Sequence, residues 1–293
     1  MLKFKTLLLR EWMQHHRGWF ILSLVPLLIA VLTIPFGSVQ LDGPENAQMV
    51  AILGVGAYTI GVLLLGWLSV MIQTPGLARR DQQDRSIEFW VSLPTAHWQN
   101  VLATVLTHLL LMPLLVLCLA FVGGQLVAPL LVVKVFGWAG LGELPMGLWL
   151  MDSGLGFLRL LLGVVVSALW LSPMLLAAMA AAAWLKRWGV PLLAAVVGIG
   201  GGVLAKVYGN PIVYDIVDGL FMRALAALIP GSQGEQGLQQ AHDRANLLHN
   251  FPAWVMHDTA LVLQDLASPW LLGAAVVSAG CFGLLVLRRQ RGV

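Results

Sequence analysis

Long apolar runs, separated by shorter polar segments, dominate the chain. A helix needs about 17–25 mainly apolar residues to cross the hydrocarbon core of a bilayer. Because most of the runs meet that length, the fold expected is an all-α integral membrane protein. The fifth run is short, and the six predicted spans are Gly18–Phe36, Met49–Gln73, Val101–Gly123, Leu160–Leu185, Val190–Ala205 and Leu266–Leu287.

The first seventeen residues predict a separate amphipathic helix before the first span. Polar and apolar side chains each recur there every three to four residues, which is typical of such a helix. A basic, aromatic helix of this kind can lie in the plane of the lipid headgroups. The alternative, a cleaved signal peptide, fits poorly because Pro35 and Phe36 stand where small residues are needed. The polar positions are Lys3, Thr6, Arg10, Gln14 and Arg17, and the apolar ones are Phe4, Leu8 and Trp12.

The segment 79–98, RRDQQDRSIEFWVSLPTAHW, changes abruptly from charged to apolar. Its second half predicts a short helix that Pro94 ends, because a proline biases the preceding Leu93 away from the helical region. An apolar helix face outside the membrane needs something to cover it. Its apolar residues are Ile87, Phe89, Trp90, Val91 and Leu93.

Two further segments separate the spans. Residues 124–154 are apolar but interrupted by Gly, Pro and charged residues, and they predict an irregular connection that could include a surface helix. Residues 206–265 contain a helical pattern over 212–229. The charged Asp215, Asp218 and Arg223 make that helix too costly to insert as a free-standing span. We expect it to lie on the outer leaflet, with Ile216, Leu220 and Leu228 in lipid.

The distribution of basic residues predicts the orientation. The N-terminus, the 79–98 segment, the 186–188 turn and the C-terminus hold 12 of the 17 lysines and arginines and 4 of the 14 acids, a net charge of +8. The remaining segments carry a net −5. Because cytoplasmic loops are enriched in Lys and Arg, both termini are expected in the cytoplasm, and 206–265 outside.

Composition agrees with a membrane protein, since 59% of the residues are hydrophobic and only 11% are charged. A soluble domain carries about 25% charged residues. The basic pI of about 9.1 follows from residues beside apolar runs, so it indicates topology rather than nucleic-acid binding. Both cysteines, Cys118 and Cys281, lie in apolar runs and predict neither a disulfide framework nor a metal site.

The sequence contains no ATP-binding loop of the form GxxxxGK[ST] and no HExxH or GxSxG motif. His108 lies inside the third span, where a hydrogen bond to a neighbouring helix is a simpler interpretation than catalysis. His242, His249 and His257 could bind a metal, but their spacing matches no defined site. Gly198 and Gly202 form a GxxxG pair, which allows close helix packing within one subunit or between two.

The segment Asp84–Val101, DRSIEFWVSLPTAHWQNV, resembles the cytoplasmic loop of bacterial ABC-2-type transporter permeases. The N-terminal LLLREWMQHHRGWFILSLVPLLI is similar to the start of such permeases, and the layout of spans is similar throughout. The resemblance implies a half-transporter in the bacterial plasma membrane. Two such chains, identical or paired with a relative, would associate with two ATPase subunits that hold ATP and Mg²⁺.

The resemblance also implies that the helix in the 79–98 loop is a coupling helix seated on the ATPase. The residues expected to contact or orient it there are Arg85, Glu88, Phe89, Trp90, Leu93 and Pro94. Headgroup anchoring by Phe89 and Trp90 is the alternative. By the same likeness, 212–229 corresponds to the outer helix before the last span.

Two other classes of function stay open from the sequence. The chain could be a non-transporting membrane anchor or assembly subunit of an enzyme complex. An intramembrane enzyme is the weakest of the three, because the predicted spans hold almost no ionisable side chains. No catalytic, cofactor or metal residue is predicted within this chain, and its apolar spans are compatible with lipid, drug, peptide or ion substrates.

Overall fold

A computed structural model of the chain describes residues 2–38, 46–80, 96–231 and 250–291. These residues are almost entirely helical, and no strand occurs among them. Five continuous helical runs are long and apolar enough to cross a membrane, which makes the chain a multi-pass membrane protein. The runs are Phe4–Thr33, Ala47–Leu77, His97–Glu143, Met146–Val207 and Pro269–Gln290.

Helix α1 (Leu2–Thr33) is one continuous helix. It therefore joins the expected interfacial helix 1–17 to the first span without a break, although the position of its first half relative to the membrane stays a prediction. Helix α2 (Ala47–Leu77) begins at Asn46, whose side-chain oxygen accepts a hydrogen bond from the Met49 amide at 2.9 Å. Such a cap satisfies one of the amides left unpaired at a helix start.

Helix α3 (His97–Leu106) continues through a π-helical turn (Thr107–Leu111) into α4 (Met112–Glu143). The long α4 is kinked at Gly137, whose φ of 70° is readily adopted only by glycine. Helix α5 (Met146–Leu185) begins three residues after α4 ends.

The expected irregular connection over 124–154 is therefore wrong, because most of it is helical. Its polar residues suggested a loop, but Lys134 and Asp152 have hydrogen-bond partners on distant parts of the chain. Lys134 donates to the Pro35 carbonyl at 2.8 Å, and the buried Asp152 carboxylate accepts from Gln48 at 3.1 Å. Hydrogen bonds of this kind let a helix carry polar side chains through an apolar bundle.

Helix α5 ends at Lys186, which has φ 54° and begins a 3₁₀ turn (Lys186–Trp188). The chain continues as α6 (Gly189–Ala195), a π-helical turn (Val196–Gly200) and α7 (Gly201–Val207). Gly189 lies directly against α5, where an added Cβ would be 2.2 Å from the carbonyl oxygen of Ala181. The fourth and fifth predicted spans thus lie on either side of this turn.

Helices α8 (Ile212–Leu228), α9 (Phe251–Leu266) and α10 (Pro269–Gln290) complete the described chain. The predicted helix over 212–229 is confirmed as α8, and Asp215 and Asp218 are exposed as expected. The expectation that Leu220 and Leu228 contact lipid is wrong, since both are buried in the main core. Helix α9 was not predicted.

The main core forms where α2, α4, α5 and α8 pack together. Burial of apolar side chains and close packing stabilise such a bundle. By contrast, in each of α1 and α10 only 11% of the residues in the most apolar stretch are buried. Their apolar outer faces are available to lipid or to another chain. The central core side chains include Leu63, Trp67, Val116, Leu117, Val164 and Trp170.

The basic segments meet at one end of the bundle. A small apolar cluster there brings together the end of α2, the start of α3 and the ends of α5 and α10. Arg288 donates to the Ala183 carbonyl at 3.2 Å, which ties the C-terminal helix to the end of α5. Glu11 of α1 contacts Arg80, just after α2. The part of α1 around Glu11 and the end of α10 therefore lie towards the same end of the bundle.

A buried ion pair fastens α9 to α5 nearer the other end. Arg159 Nε donates to Asp258 Oδ2 at 2.6 Å, and the two side chains are 2% and 3% exposed. Arg159 Nη1 donates to the Ala227 carbonyl of α8 at 2.8 Å, and the other Asp258 oxygen accepts from the Gly231 amide at 2.9 Å. One guanidinium thus holds three helices together.

Candidate functional site

The most polar buried site in the described part of the chain surrounds Glu11 of α1, whose side chain is fully buried. Arg80 donates two parallel hydrogen bonds to it, from Nη1 to Oε2 at 2.9 Å and from Nη2 to Oε1 at 2.8 Å. This two-pronged geometry is the strongest that an arginine can make with a carboxylate. Arg80 follows α2, so the pair joins the first two helices.

Three more side chains contact the same carboxylate. Thr104 of α3 donates to Oε1 at 3.0 Å, and Arg10 also hydrogen-bonds Oε1. His108 Nε2, in the π-helical turn, lies 3.6 Å from Oε2. Helix α1 is thereby bound to α3 as well as to the residue that follows α2.

Two histidine rings close the site. His15 is one turn after Glu11 on α1, and its ring meets that of His108 edge to face at 4.5 Å between centroids. His15 Nδ1 lies 3.1 Å from the Glu11 backbone oxygen. The π-helical turn Thr107–Leu111 places His108 beside Glu11, and single π turns of this type are frequent at functional sites.

Charge balance explains why Glu11 can be buried. Removing an ion from water costs several kcal/mol, and opposite charges offset this only when the remaining hydrogen-bonding atoms are also satisfied. Glu11 has two guanidinium groups and one hydroxyl as donors. Arg10 and Arg80 keep side-chain exposures of 9% and 16%, so each retains some contact with solvent.

The two guanidinium groups at Glu11 bear on whether the site could hold a metal. The ligand atoms of Glu11, His15 and His108 all lie within 4.8 Å of one another, and two imidazoles with a carboxylate form a known zinc ligand set. However, a divalent cation there would stand beside the two arginines that neutralise Glu11. Coulomb repulsion at this range opposes binding. We therefore interpret the site as an ion-pair junction between helices.

The Glu11 junction, formed by Glu11, Arg80, Thr104 and His108, contacts both ends, or stems, of the 79–98 segment. Arg80 belongs to the stem that leaves α2, and Thr104 and His108 belong to the helix that begins after it at His97. A displacement of either stem must therefore move α1 or break contacts with a buried carboxylate. This position gives the cluster a means to transmit movement between the loop and the N-terminal helix.

The predicted coupling residues lie outside the described part of the chain. This applies to all six of them, and their contact with a partner stays a prediction: Arg85, Glu88, Phe89, Trp90, Leu93 and Pro94. The structure does describe the flanking Arg80 and His97.

Gly198 and Gly202 are placed at the transition from α6 to α7. The Tyr214 hydroxyl of α8 donates to the Gly198 carbonyl at 2.8 Å, and it would lie 3.2 Å from a Cβ added at Gly202. An added Cβ at Gly198 meets nothing within 4 Å. Gly202 therefore permits a contact within the chain, while a role for the pair between two chains stays a prediction.

Of the three histidines weighed as metal ligands, the structure describes His257, which is exposed on α9. Its neighbour Asp258 is turned inward, where Arg159 and the Gly231 amide occupy its oxygens. His242 and His249 lie outside the described residues.

No protein-family model matches the chain, and no curated protein or solved structure is significantly similar to it.

Sequence reasoning missed the role of Glu11. Glu11 follows Leu8 by three residues, so it lies beside the apolar stripe of the amphipathic helix, but a single acid there does not indicate which residues it contacts. The available signal was that Glu11 is the one acid among the first 41 residues, in a segment otherwise basic and apolar. Its partners are 69 and 93 positions away, and their proximity follows only from the packing of α1.

Proposed function

We propose that this chain is the membrane-spanning permease subunit of an ATP-binding cassette transporter of the ABC-2 type. In this proposal it moves a substrate across the bacterial plasma membrane with energy from separate ATPase subunits. The observation that carries the proposal is the Glu11 junction, which binds both stems of the 79–98 loop to α1. A loop that receives force from a partner needs such a rigid attachment to the spans.

The sequence of the loop supports the same function. A charged segment leads into the apolar helix pattern at Phe89 and Trp90 and ends at Pro94, as in the coupling loops it resembles. The chain lacks the glycine-rich loop that cradles phosphates. It would therefore depend on a partner, two ATPase copies with ATP and Mg²⁺, and on a second permease chain.

The layout of the helices is compatible with six spans. Glu11 of α1 contacts Arg80 just after α2, and the end of α10 packs against the same end of the bundle, which is compatible with an even number of crossings. The run Met146–Val207 supplies two of them if the chain reverses at Lys186, where the left-handed backbone ends α5. The basic residues at that face favour a cytoplasmic location for both termini.

Co-purification tests the proposal. The chain is solubilised from its native membranes in a mild detergent, and the proteins retained with it are identified. The expected partner is an ATPase that carries the GxxxxGK[ST] loop, in equal stoichiometry with the permease. A complex containing another enzyme and no ATPase would instead support the membrane-anchor alternative and reject the permease function.

A double variant then locates the contact. Phe89→Ala with Trp90→Ala should reduce ATPase association at least tenfold and abolish ATP-driven transport, because buried aromatic side chains commonly dominate interfaces. The matched control is Trp188→Ala, which removes an exposed aromatic from the turn at the same face. Full retention of both partner and transport in the double variant would reject the coupling role of Phe89 and Trp90.

A further inference from the structure

A cavity of about 450 Å³ lies between α2, α4, α5 and α9. Its volume is within the range of about 300–1,000 Å³ found for small-molecule sites. Its walls are mainly apolar and aromatic, with a few polar side chains from α2 and α5. The wall includes Ile52, Thr59, Phe121, Phe157, Phe251 and Trp254.

One buried donor in the cavity wall is left without a partner. Arg159 lines the cavity and is 2% exposed. Its Nε and Nη1 are engaged by Asp258 and by the Ala227 carbonyl, whereas Nη2 has no hydrogen-bond acceptor among the residues that the structure describes. A buried unpaired N–H costs about 1–3 kcal/mol. An occupant with an acceptor oxygen would remove that cost.

The charges around Arg159 define the type of acceptor. Asp258 already neutralises the guanidinium at 2.6 Å, and a second carboxylate, Asp152, lies two helical turns earlier on the same face of α5 and also lines the cavity. A bound anion would add a further unbalanced negative charge to a buried site, which is expensive. A neutral carbonyl oxygen accepts from Nη2 without that penalty.

The cavity has an edge on the outer surface of the bundle. Leu53 is 43% exposed and Ala57 is also exposed, and both residues line the cavity from α2. Because exposed apolar helix faces in a membrane protein meet lipid or another chain, this edge gives an apolar molecule a lateral way in. A long apolar chain suits the aliphatic and aromatic walls.

We propose that this cavity is a binding site for an uncharged amphiphile, whose ester or amide carbonyl accepts a hydrogen bond from Arg159 Nη2 while its hydrocarbon part lies against α2 and α9. The same chemistry could come from a bilayer lipid or from a transported substrate. The site does not depend on the ATPase-coupling function, so the two proposals can fail separately.

The test uses photocrosslinking of the full-length chain in dodecyl maltoside, a detergent without a carbonyl. The probes are a monoacylglycerol ester with a diazirine in its acyl chain and the matching alkyl ether, which lacks the carbonyl. Labelled peptides are mapped by mass spectrometry. The ester should label the α2 and α9 peptides about tenfold more strongly than the ether, as expected for a hydrogen bond to a charged donor. Equal labelling would overturn the proposal.

Two glycines on α2 provide a matched pair of variants. An added Cβ at Gly56 or at Gly61 meets nothing within 4 Å, but only Gly56 lines the cavity. Gly56→Leu should fill the cavity and reduce ester labelling of the α9 peptide at least fivefold, whereas Gly61→Leu should leave it unchanged. The site would be contradicted if both variants kept full labelling, or if both lost labelling to the same extent.

Arg159→Lys tests the donor itself. A lysine can still pair with Asp258, but its single nitrogen cannot occupy both the Nε and the Nη2 positions. The ester should therefore lose its advantage over the ether in a variant that stays monodisperse. Retention of the tenfold preference would overturn the role of Nη2. If the variant aggregates, the Gly56 and Gly61 pair decides the outcome alone.

Extraction of the purified chain distinguishes the two sources. A stoichiometric ester lipid that is also abundant in the surrounding membrane, and reduced in Gly56→Leu, supports a bilayer lipid. An enriched ester or amide that is scarce in the membrane supports a substrate. The proposal is rejected if the bound compound has no carbonyl. It is also rejected if no extracted compound differs in amount between Gly56→Leu and Gly61→Leu.

Discussion

Glu11 and Arg80, 69 residues apart, form a two-pronged ion pair in which the carboxylate is fully buried. The pair fixes the start of the chain against the residue that follows α2. Thr104 of α3 and His108 of the π-helical turn add contacts, so one carboxylate joins three parts of the chain. This relationship makes Glu11 the residue whose replacement should have the broadest effect.

Glu11→Gln should lower the free energy of unfolding by about 3 kcal/mol. Loss of one partner of a buried ion pair costs about 3–5 kcal/mol, and the lower end applies because Arg80 keeps 16% exposure. Denaturation in detergent, followed by tryptophan fluorescence, measures the change. Glu143→Gln is the control, since Glu143 is exposed and should shift stability by less than about 0.5 kcal/mol.

The same variant also tests whether the junction transmits movement from the 79–98 loop to the membrane spans. If the junction connects the 79–98 stems to the spans, Glu11→Gln should bind the ATPase normally but reduce transport per ATP hydrolysed. Combining pull-down with transport assays separates this from a folding defect. Unchanged coupling in a folded Glu11→Gln protein would contradict the role assigned to the junction.

Asp258→Asn should be strongly destabilising, by about 3–5 kcal/mol, because Arg159 would remain buried with no countercharge. The double variant Arg159→Met with Asp258→Leu should recover most of that loss, since apolar replacement of both partners is often neutral. Asp215→Asn, at an exposed position on α8, serves as the control. Equal stability of Asp258→Asn and Asp215→Asn would disprove the buried pair.

Gly163→Ala should destabilise the contact between α5 and α8 by about 1–3 kcal/mol. An added Cβ at Gly163 would lie 2.2 Å from the Ala227 carbonyl oxygen, so backbone must move. Gly198→Ala meets nothing within 4 Å and should keep or slightly raise stability, because alanine favours helix. Thermal unfolding of the two variants checks both statements. A Gly163→Ala protein more stable than the Gly198→Ala protein would contradict the packing.

Cysteine labelling should establish the orientation. In a variant without Cys118 and Cys281, a cysteine at Gln82 should react only with a reagent inside the cell, and one at Gln236 only with an impermeant reagent outside. The basis is the net +8 against −5 distribution of charge. External labelling at Gly292 would show that the chain crosses the membrane an odd number of times.

The hydrophobic pattern predicted the all-helical membrane fold and the helix α8. It failed over 124–154, because Lys134 and Asp152 look like loop residues until their partners are known. Lys134 meets the Pro35 carbonyl, and Asp152 meets Gln48, more than 95 positions away in each case. A local pattern contains no information about such distant partners.

Helix α9 was missed for a related reason. Its residues combine Asp258 and Asp265 with aromatic and aliphatic side chains, and the acids obscure the apolar face. Both acids are paired with arginines of other helices, Arg159 and Arg223. The Glu11 cluster was hidden in the same way, and each of these sites becomes visible only when helices distant in sequence are packed together.

The ion pair of Arg159 and Asp258 also has a consequence for synthesis of the chain, because its two partners are made at different times. The two residues are 99 positions apart, so at about 5–20 residues per second the ribosome makes Arg159 roughly 5–20 s before its countercharge. During that interval α5 carries a cation that has no carboxylate from α9 to meet it. The nascent bundle must therefore keep this side of α5 away from hydrocarbon, and the arrival of α9 completes its assembly.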